Sequence, residues 1–236
     1  MVLASILAPL GDAPGGLQMH APDGFISVPL LVVLWVIDLA ILAYAVRQTN
    51  RTMDERAIPL MGVMAAFIFA AQMFNFQVAG GTSGHLLGGV LAAALLGPWP
   101  ATIVMTAVLA VQALIFQDGG ILALGANLFN MAIVGTLGGY AIYRVLARLF
   151  GGENRARIPA AAIAAWASVL LGSGAMALEL GISGTTDLAV ALTAMLGVHT
   201  FIGIGEALIT AAALGFIQLT RADLFKLRDA RSRASV

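Results

Sequence analysis

Long apolar stretches, broken by short polar or glycine-rich segments, dominate the chain. None alternates apolar and polar positions with a period of two over a strand's length, so the pattern predicts membrane helices rather than barrel strands. The first stretch runs from about Ile26 to Val46 and stops at Arg47. The second covers Ile58 to Val78 and breaks at Ala79-Gly80-Gly81. The third, Gly84 to Leu96, is short for a crossing and ends at Gly97-Pro98-Trp99-Pro100, with Trp99 placed as an interfacial anchor. The fourth runs from Ala101 to Phe116, closing at Gln117-Asp118-Gly119-Gly120; the fifth from Leu122 to Tyr143; the sixth from Pro159 to Leu180. The seventh occupies much of Leu188 to Leu219. The expected architecture is therefore an all-α integral membrane protein, a bundle of about seven transmembrane helices.

Composition agrees. Of 236 residues, 60% are hydrophobic and 10% charged, where an ordinary soluble domain carries about 25% charged residues. A chain so poor in charge cannot clothe a water-facing surface. Its formal net charge of zero argues against nucleic acid as a partner. It contains no cysteine, so thiolate metal sites, disulfides and cysteine nucleophiles are excluded. There is no phosphate-cradling Walker loop, no His-Glu-x-x-His run and no Gly-x-Ser-x-Gly elbow.

Charge sets the expected orientation. All twelve basic residues fall between Arg47 and Arg56, Arg144 and Arg157, or Arg221 and Arg233. The positive-inside rule assigns these clusters to the cytoplasm. Seven crossings with the amino terminus outside and the carboxyl terminus cytoplasmic satisfy all three; six or eight would not. Residues 1–18 carry helix-breaking Gly11, Pro14, Gly15 and Gly16 and lack a signal peptide's basic region and cleavage site. They read either as a floppy tail or, the expectation taken here, as a segment absent from the functional form, leaving a membrane domain at 19–220 and a charged cytoplasmic tail at 221–236.

In this topology the three histidines gather at the outer face. His20 precedes the first span and His85 opens the third. His199 lies roughly 30 Å from the cytoplasmic end of the seventh, at 1.5 Å per residue. In Met19-His20-Ala21-Pro22-Asp23-Gly24-Phe25, Pro22-Asp23-Gly24 reads as a tight turn. If Met19 were the amino terminus, its amine, the His20 backbone nitrogen and the His20 imidazole would form two fused chelate rings. Planar nitrogen coordination suits Ni(II) and Cu(II); the alternative is an interfacial histidine with an ordinary hydrogen bond. His85 sits in Gly80-Gly81-Thr82-Ser83-Gly84-His85-Leu86-Leu87-Gly88-Gly89, where Thr82 or Ser83 is placed to cap the third span. Such a loop fits either a metal-binding turn or a packing turn. Gln72, Asn75, Asn127 and Asn130 are amides at membrane depth, read as interhelical glue or as supports around a site. His199 and Glu206 share a face of the seventh span; Asp38, Asp118 and Glu179 are weaker pointers. Ala66 and Ala70 form a small-xxx-small pair on which another membrane helix could ride.

Four stretches together carry a resemblance: Met19–Ser27, Ala70-Ala71-Gln72-Met73-Phe74-Asn75-Phe76, Gly80–Leu86, and Gly125-Ala126-Asn127-Leu128-Phe129-Asn130-Met131. They resemble the CbiM/NikM family, the substrate-binding components of energy-coupling-factor (ECF) transporters for cobalt and nickel. The resemblance extends from Met19 to about Ala213. It implies metal ligation by the Met19 amine, the backbone nitrogen and imidazole of His20, and His85. It also implies partners: a transmembrane coupling (T) component packed on Ala66 and Ala70, ATPase subunits and a small additional membrane subunit. The chain departs from the family's pattern by beginning eighteen residues ahead of that methionine, and by Ala21 where a larger aliphatic residue is usual.

The sequence thus reads as the metal-capture component of an ATP-driven Ni²⁺/Co²⁺ uptake transporter in a prokaryotic cell (inner) membrane. The metal is transported substrate, no permanently bound cofactor is expected, and ATP hydrolysis falls to partner subunits. His199, Asn75, Asn127 and Asn130 are the candidates for supporting the ligands from behind. The ease with which Ni(II) deprotonates a backbone amide leans the choice toward nickel. Two rival readings remain: a stand-alone secondary metal carrier using Asp38 or Glu206, and an intramembrane metallo-hydrolase using His85, His199 and Glu206.

Overall fold

A computed structural model describes residues 20–53, 58–73, 76–78 and 82–225. Within these the chain forms seven helices and one small hairpin. The helices are α1 (Val28–Thr52), α2 (Ile58–Met73), α3 (Gly89–Leu96) and α4 (Pro98–Ile115), followed by α5, α6 (Glu153–Ile182) and α7 (Leu188–Thr220). Helix α5 is continuous but changes winding, from Leu124–Asn127 through a π-helical Leu128–Gly138 to Gly139–Leu149. Strands β1 (Phe76–Val78) and β2 (Thr82–Gly84) pair antiparallel, with Gln77 opposite Ser83.

Local chemistry explains most boundaries. Proline opens α1 and α4 in the first turn, where its missing N–H costs nothing. Asp187 caps α7, its side chain accepting from Ala189 N and Val190 N at 2.9 and 3.2 Å. Helix α6 begins at Glu153 rather than at Pro159 as the sequence predicts. The Arg144–Glu153 ion pair, 2.9 Å, ties that added turn to α5. Trp99 packs edge-on against Tyr44, with ring centroids 4.8 Å apart.

The third span differs most from expectation. Thr82 and Ser83 do not cap a helix; they belong to β2. Helix α3 starts only at Gly89, behind Gly88 with φ of +82° and no side-chain cap. Its eight residues are all buried, and at 1.5 Å each they cover about 12 Å, far short of a hydrocarbon core. Residues 85–88 are therefore irregular backbone leading into a short helix at the centre of the bundle.

Around α3 the other helices close in. Val90, Leu91 and Leu95 pack with Met105 and Leu109 of α4, Tyr143 of α5 and an alanine-lined face of α6. Small residues permit the close approach. At Gly139 of α5 a Cβ would lie 2.5 Å from Val90 Cγ2 and 2.7 Å from Ser168 Cβ. Outward, Val32, Phe201, Leu208 and Phe216 are exposed, as a lipid-facing surface requires. Among the described residues α1, α4, α6 and α7 are each long and apolar enough to cross a membrane, and α2 is a shorter apolar helix.

This packing yields a paired prediction for thermal unfolding in detergent. Gly139→Ala should lower stability by about 1–3 kcal/mol through overpacking, against the usual helix preference for alanine. Gly62→Ala, where a Cβ meets nothing within 4 Å, should be neutral or stabilise by about 0.5–1 kcal/mol.

Candidate metal centre

The segment carrying His20 has no secondary structure of its own, so its position rests on what holds it. Asn127, at the start of α5, grips the Ala21 backbone from both sides: its Oδ1 accepts from Ala21 N at 3.0 Å and its Nδ2 donates to Ala21 O at 3.2 Å. Gly120 N also donates to Ala21 O, at 2.9 Å. Asp23 Oδ1 accepts from Ala123 N at 2.8 Å. The seat needs glycine. Gly119 has φ of +92°, and a Cβ there would lie 2.7 Å from His20 Cβ; a Cβ on Gly120 would strike Asp23. From the other side Ser183 Oγ accepts from Ser27 N at 2.9 Å, and Thr185 Oγ1 donates to Phe25 O.

Held this way, His20 is 6% exposed. Its Nδ1 lies 3.3 Å from Asp118 Oδ1, and neither ring nitrogen has a hydrogen-bond partner among the described residues. Its ring faces that of His85, with centroids 5.0 Å apart and planes inclined at 55°.

His85 leads the irregular stretch before α3, and irregular backbone deep in an apolar bundle must find partners for its polar groups. Glu206 of α7 supplies two: Oε2 accepts from Leu87 N at 2.6 Å and Oε1 from Gly88 N at 2.8 Å. Gln72 of α2 supplies a third, its Nε2 donating to Leu87 O at 2.8 Å. Gln112 of α4 then donates to Gln72 Oε1 at 2.9 Å. His85 Nδ1 sits 2.9 Å from Leu86 O. As the other partner is a carbonyl, Nδ1 carries the proton and Nε2 keeps its lone pair. The same logic applies to His199, whose Nδ1 lies 2.7 Å from Met195 O.

All three histidines line one cavity of ≈ 320 Å³ together with Asn127, Asn130 and a largely apolar wall. Asn130, in the π-wound part of α5, donates through Nδ2 to Glu179 Oε2 at 2.9 Å. Among the described residues no group of three or more His, Cys, Asp or Glu is arranged to hold a metal ion.

Of the residues singled out from sequence, His20 and His85 come together and His199 joins the same cavity. Asn127 secures the segment bearing His20, whereas Asn130 is engaged with Glu179. Met19 and Asn75 lie outside the described residues. Ala66 and Ala70 are exposed on α2. Glu206 does not serve His199; both its oxygens are taken by amides of the His85 loop. Gln112 was not foreseen: one amide in an apolar span offers no pattern to read.

Geometry and composition define a multi-pass membrane protein with a histidine-lined cavity. A family profile described as "Cobalt uptake substrate-specific transmembrane region" matches residues 20–224, and the chain belongs to this CbiM family of metal-transport proteins. A Haloquadratum walsbyi protein carrying a provisional metal-transport name is 41% identical over 208 residues, 87% of this chain and 93% of that one. The fused nickel transport protein NikMN of Rhodobacter capsulatus is 33% identical, the match covering 90% of this chain and 65% of its own length. The crystal structure of a truncated transition metal transporter superposes with a TM-score of 0.77 at 36% identity, covering 84% of this chain and 98% of that one. The chain is accordingly a multi-pass cell-membrane protein of metal transport.

The seat of His20 can be tested alone. Asn127→Ala removes both contacts to Ala21 and should speed hydrogen–deuterium exchange at the Ala21 amide roughly tenfold or more. Exchange in the helices should be unchanged.

Proposed function

We propose that the chain is the metal-capture component of an ATP-driven ECF-type uptake transporter for Ni²⁺ or Co²⁺, and that the ion is bound by nitrogen. The donors would be the Met19 amine, the His20 backbone nitrogen and imidazole, and the His85 imidazole. The observation that carries this reading is the pairing of His20 with His85, 5.0 Å apart at one wall of a cavity, although 65 positions separate them (85 − 20 = 65). Two imidazoles supply half of a four-coordinate shell. Backbone nitrogens of a chain end complete it in a plane, an arrangement that suits Ni(II).

The chemistry assigns work to the neighbours. A ring closed through the His20 amide nitrogen must use Nδ1, the atom that faces Asp118. Binding therefore exchanges the carboxylate contact for the ion: the imidazole carries its proton on Nε2, and Asp118 stays at hand to take up the proton that the His20 amide releases. His85, its Nδ1 proton occupied by Leu86 O, presents Nε2. His199 and Asn127 act as outer supports, and the Met19 amine requires that the working chain start there rather than at Met1.

The partners are a transmembrane coupling (T) component on the exposed Ala66 and Ala70 face, ATPase subunits and a small additional membrane subunit. The nickel-transport name of the Rhodobacter capsulatus relative supports nickel as cargo. The metallo-hydrolase alternative, which uses His85, His199 and Glu206, is disfavoured because both Glu206 oxygens are committed to backbone amides.

Intact mass and nickel titration of the protein purified from its host test the proposal. The mass should correspond to a chain starting at Met19. His20→Ala should weaken nickel binding by about a hundredfold or more and His85→Ala by at least about tenfold. A protein that starts at Met1 and binds nickel equally well would refute the amine ligand.

A further inference from the structure

We propose that Gln72 on α2 and Glu206 on α7 are the positioning residues of His85, gripping its loop from two sides, with α2 the side able to move. This rests on His85 being a metal ligand, as proposed above.

The grip is specific. Backbone groups of Leu87 and Gly88, two and three residues after His85, are held at 2.6, 2.8 and 2.8 Å by Glu206 and Gln72. No other side chain is recorded on these atoms among the described residues. Ile68, one turn before Gln72 on α2, presses on the same loop: a Cβ on Gly88 would lie 2.9 Å from Ile68 Cγ2. Gly88 also has φ of +82°, so the loop's path depends on contacts from outside it. His85 cannot shift by much while both grips hold.

The two sides differ in how firmly they are seated. Helix α7 packs against α6 in the most extensive helix pairing among the described residues. Helix α2 is shorter, and its principal helix contact is with α4 alone. Few buried contacts mark the segment that moves at least cost. Gln72 is also two residues from Ala70, about 200° round the helix at 100° per residue. The face gripping the His85 loop and the exposed small-residue face are thus opposite sides of one short helix. A pull on the outer face would draw Gln72 and Ile68 from the loop, releasing His85 while Glu206 stays.

Nickel bound to the purified protein provides the readout. Gln72→Met should speed nickel dissociation into excess chelator about tenfold or more, and should move the nickel d–d absorption band toward that of His85→Ala. Gln72→Asn, which keeps the amide but shortens it, repeats the test if Gln72→Met does not fold. Leu214→Ala, which empties a fully buried core position nearer the carboxyl end of α7, should leave band and rate near wild type, which separates positioning from general loosening. Because the chain has no cysteine, cysteines at Phe69 and Phe116, whose rings lie 5.0 Å apart, can be joined by a short bismaleimide to lock α2 to α4. The lock should slow nickel dissociation severalfold. An unchanged band and rate in the Gln72 variants, or equal acceleration by Leu214→Ala, overturns the positioning role. An unchanged rate under the lock overturns the mobility of α2. A wild-type protein with no nickel band overturns the metal-site reading, and this one with it.

Discussion

The bidentate hold of Glu206 on the amides of Leu87 and Gly88 is the contact on which the centre of the molecule depends. Glu206 lies 18 residues into α7 and 14 from its end (206 − 188 and 220 − 206), or about 27 and 21 Å along the axis. At that depth a buried peptide group left without a partner costs several kcal/mol. A helix would have solved the problem internally, but a helix would also have sealed the cavity. The chain instead leaves residues 85–88 irregular and supplies their partners from two distant helices. The open backbone lets His85 reach the cavity, and the carboxylate makes that opening tolerable.

The segment bearing His20 obeys the same logic. Its backbone is satisfied by Asn127, Gly120, Ser183 and Thr185, and two glycines clear the space it fills. Each histidine thus rides on a non-helical stretch whose position is dictated by polar side chains and loops of the helical frame. The two supports are independent: α5 and the loops beside it hold one ring, α2 and α7 the other. The distance between the rings is set by the bundle, not by either loop, so a change in helix packing becomes a change in the space between two imidazoles.

Much of the frame was legible in the sequence because hydrophobic length and basic clusters are summed over many residues. The ends of α7 fall within one residue of expectation, and each of the seven apolar stretches contains a helix. The third span was misread because Gly84 to Leu96 is apolar throughout, and hydropathy does not distinguish helix from buried irregular backbone. Thr82 and Ser83 have the chemistry of a cap, but pairing with β1 removes them from that role. His20 and His85 were legible as candidates because each sits in a turn rich in glycine or proline beside a span. Glu206 was noticed for its place on the face of His199, yet its partners lie 118 and 119 residues away, and nothing local encodes them. Gln112 and the π-winding of α5 are likewise products of tertiary packing.

The claim that matters most is that nitrogen alone holds the transported ion, with His20 and His85 as its imidazoles. X-ray absorption at the nickel edge of the loaded protein tests it most directly. The account predicts a planar four-coordinate shell of nitrogen with outer scattering from two imidazoles, reduced to one in His85→Ala. An octahedral shell rich in oxygen, or a spectrum indifferent to both histidines, would contradict it.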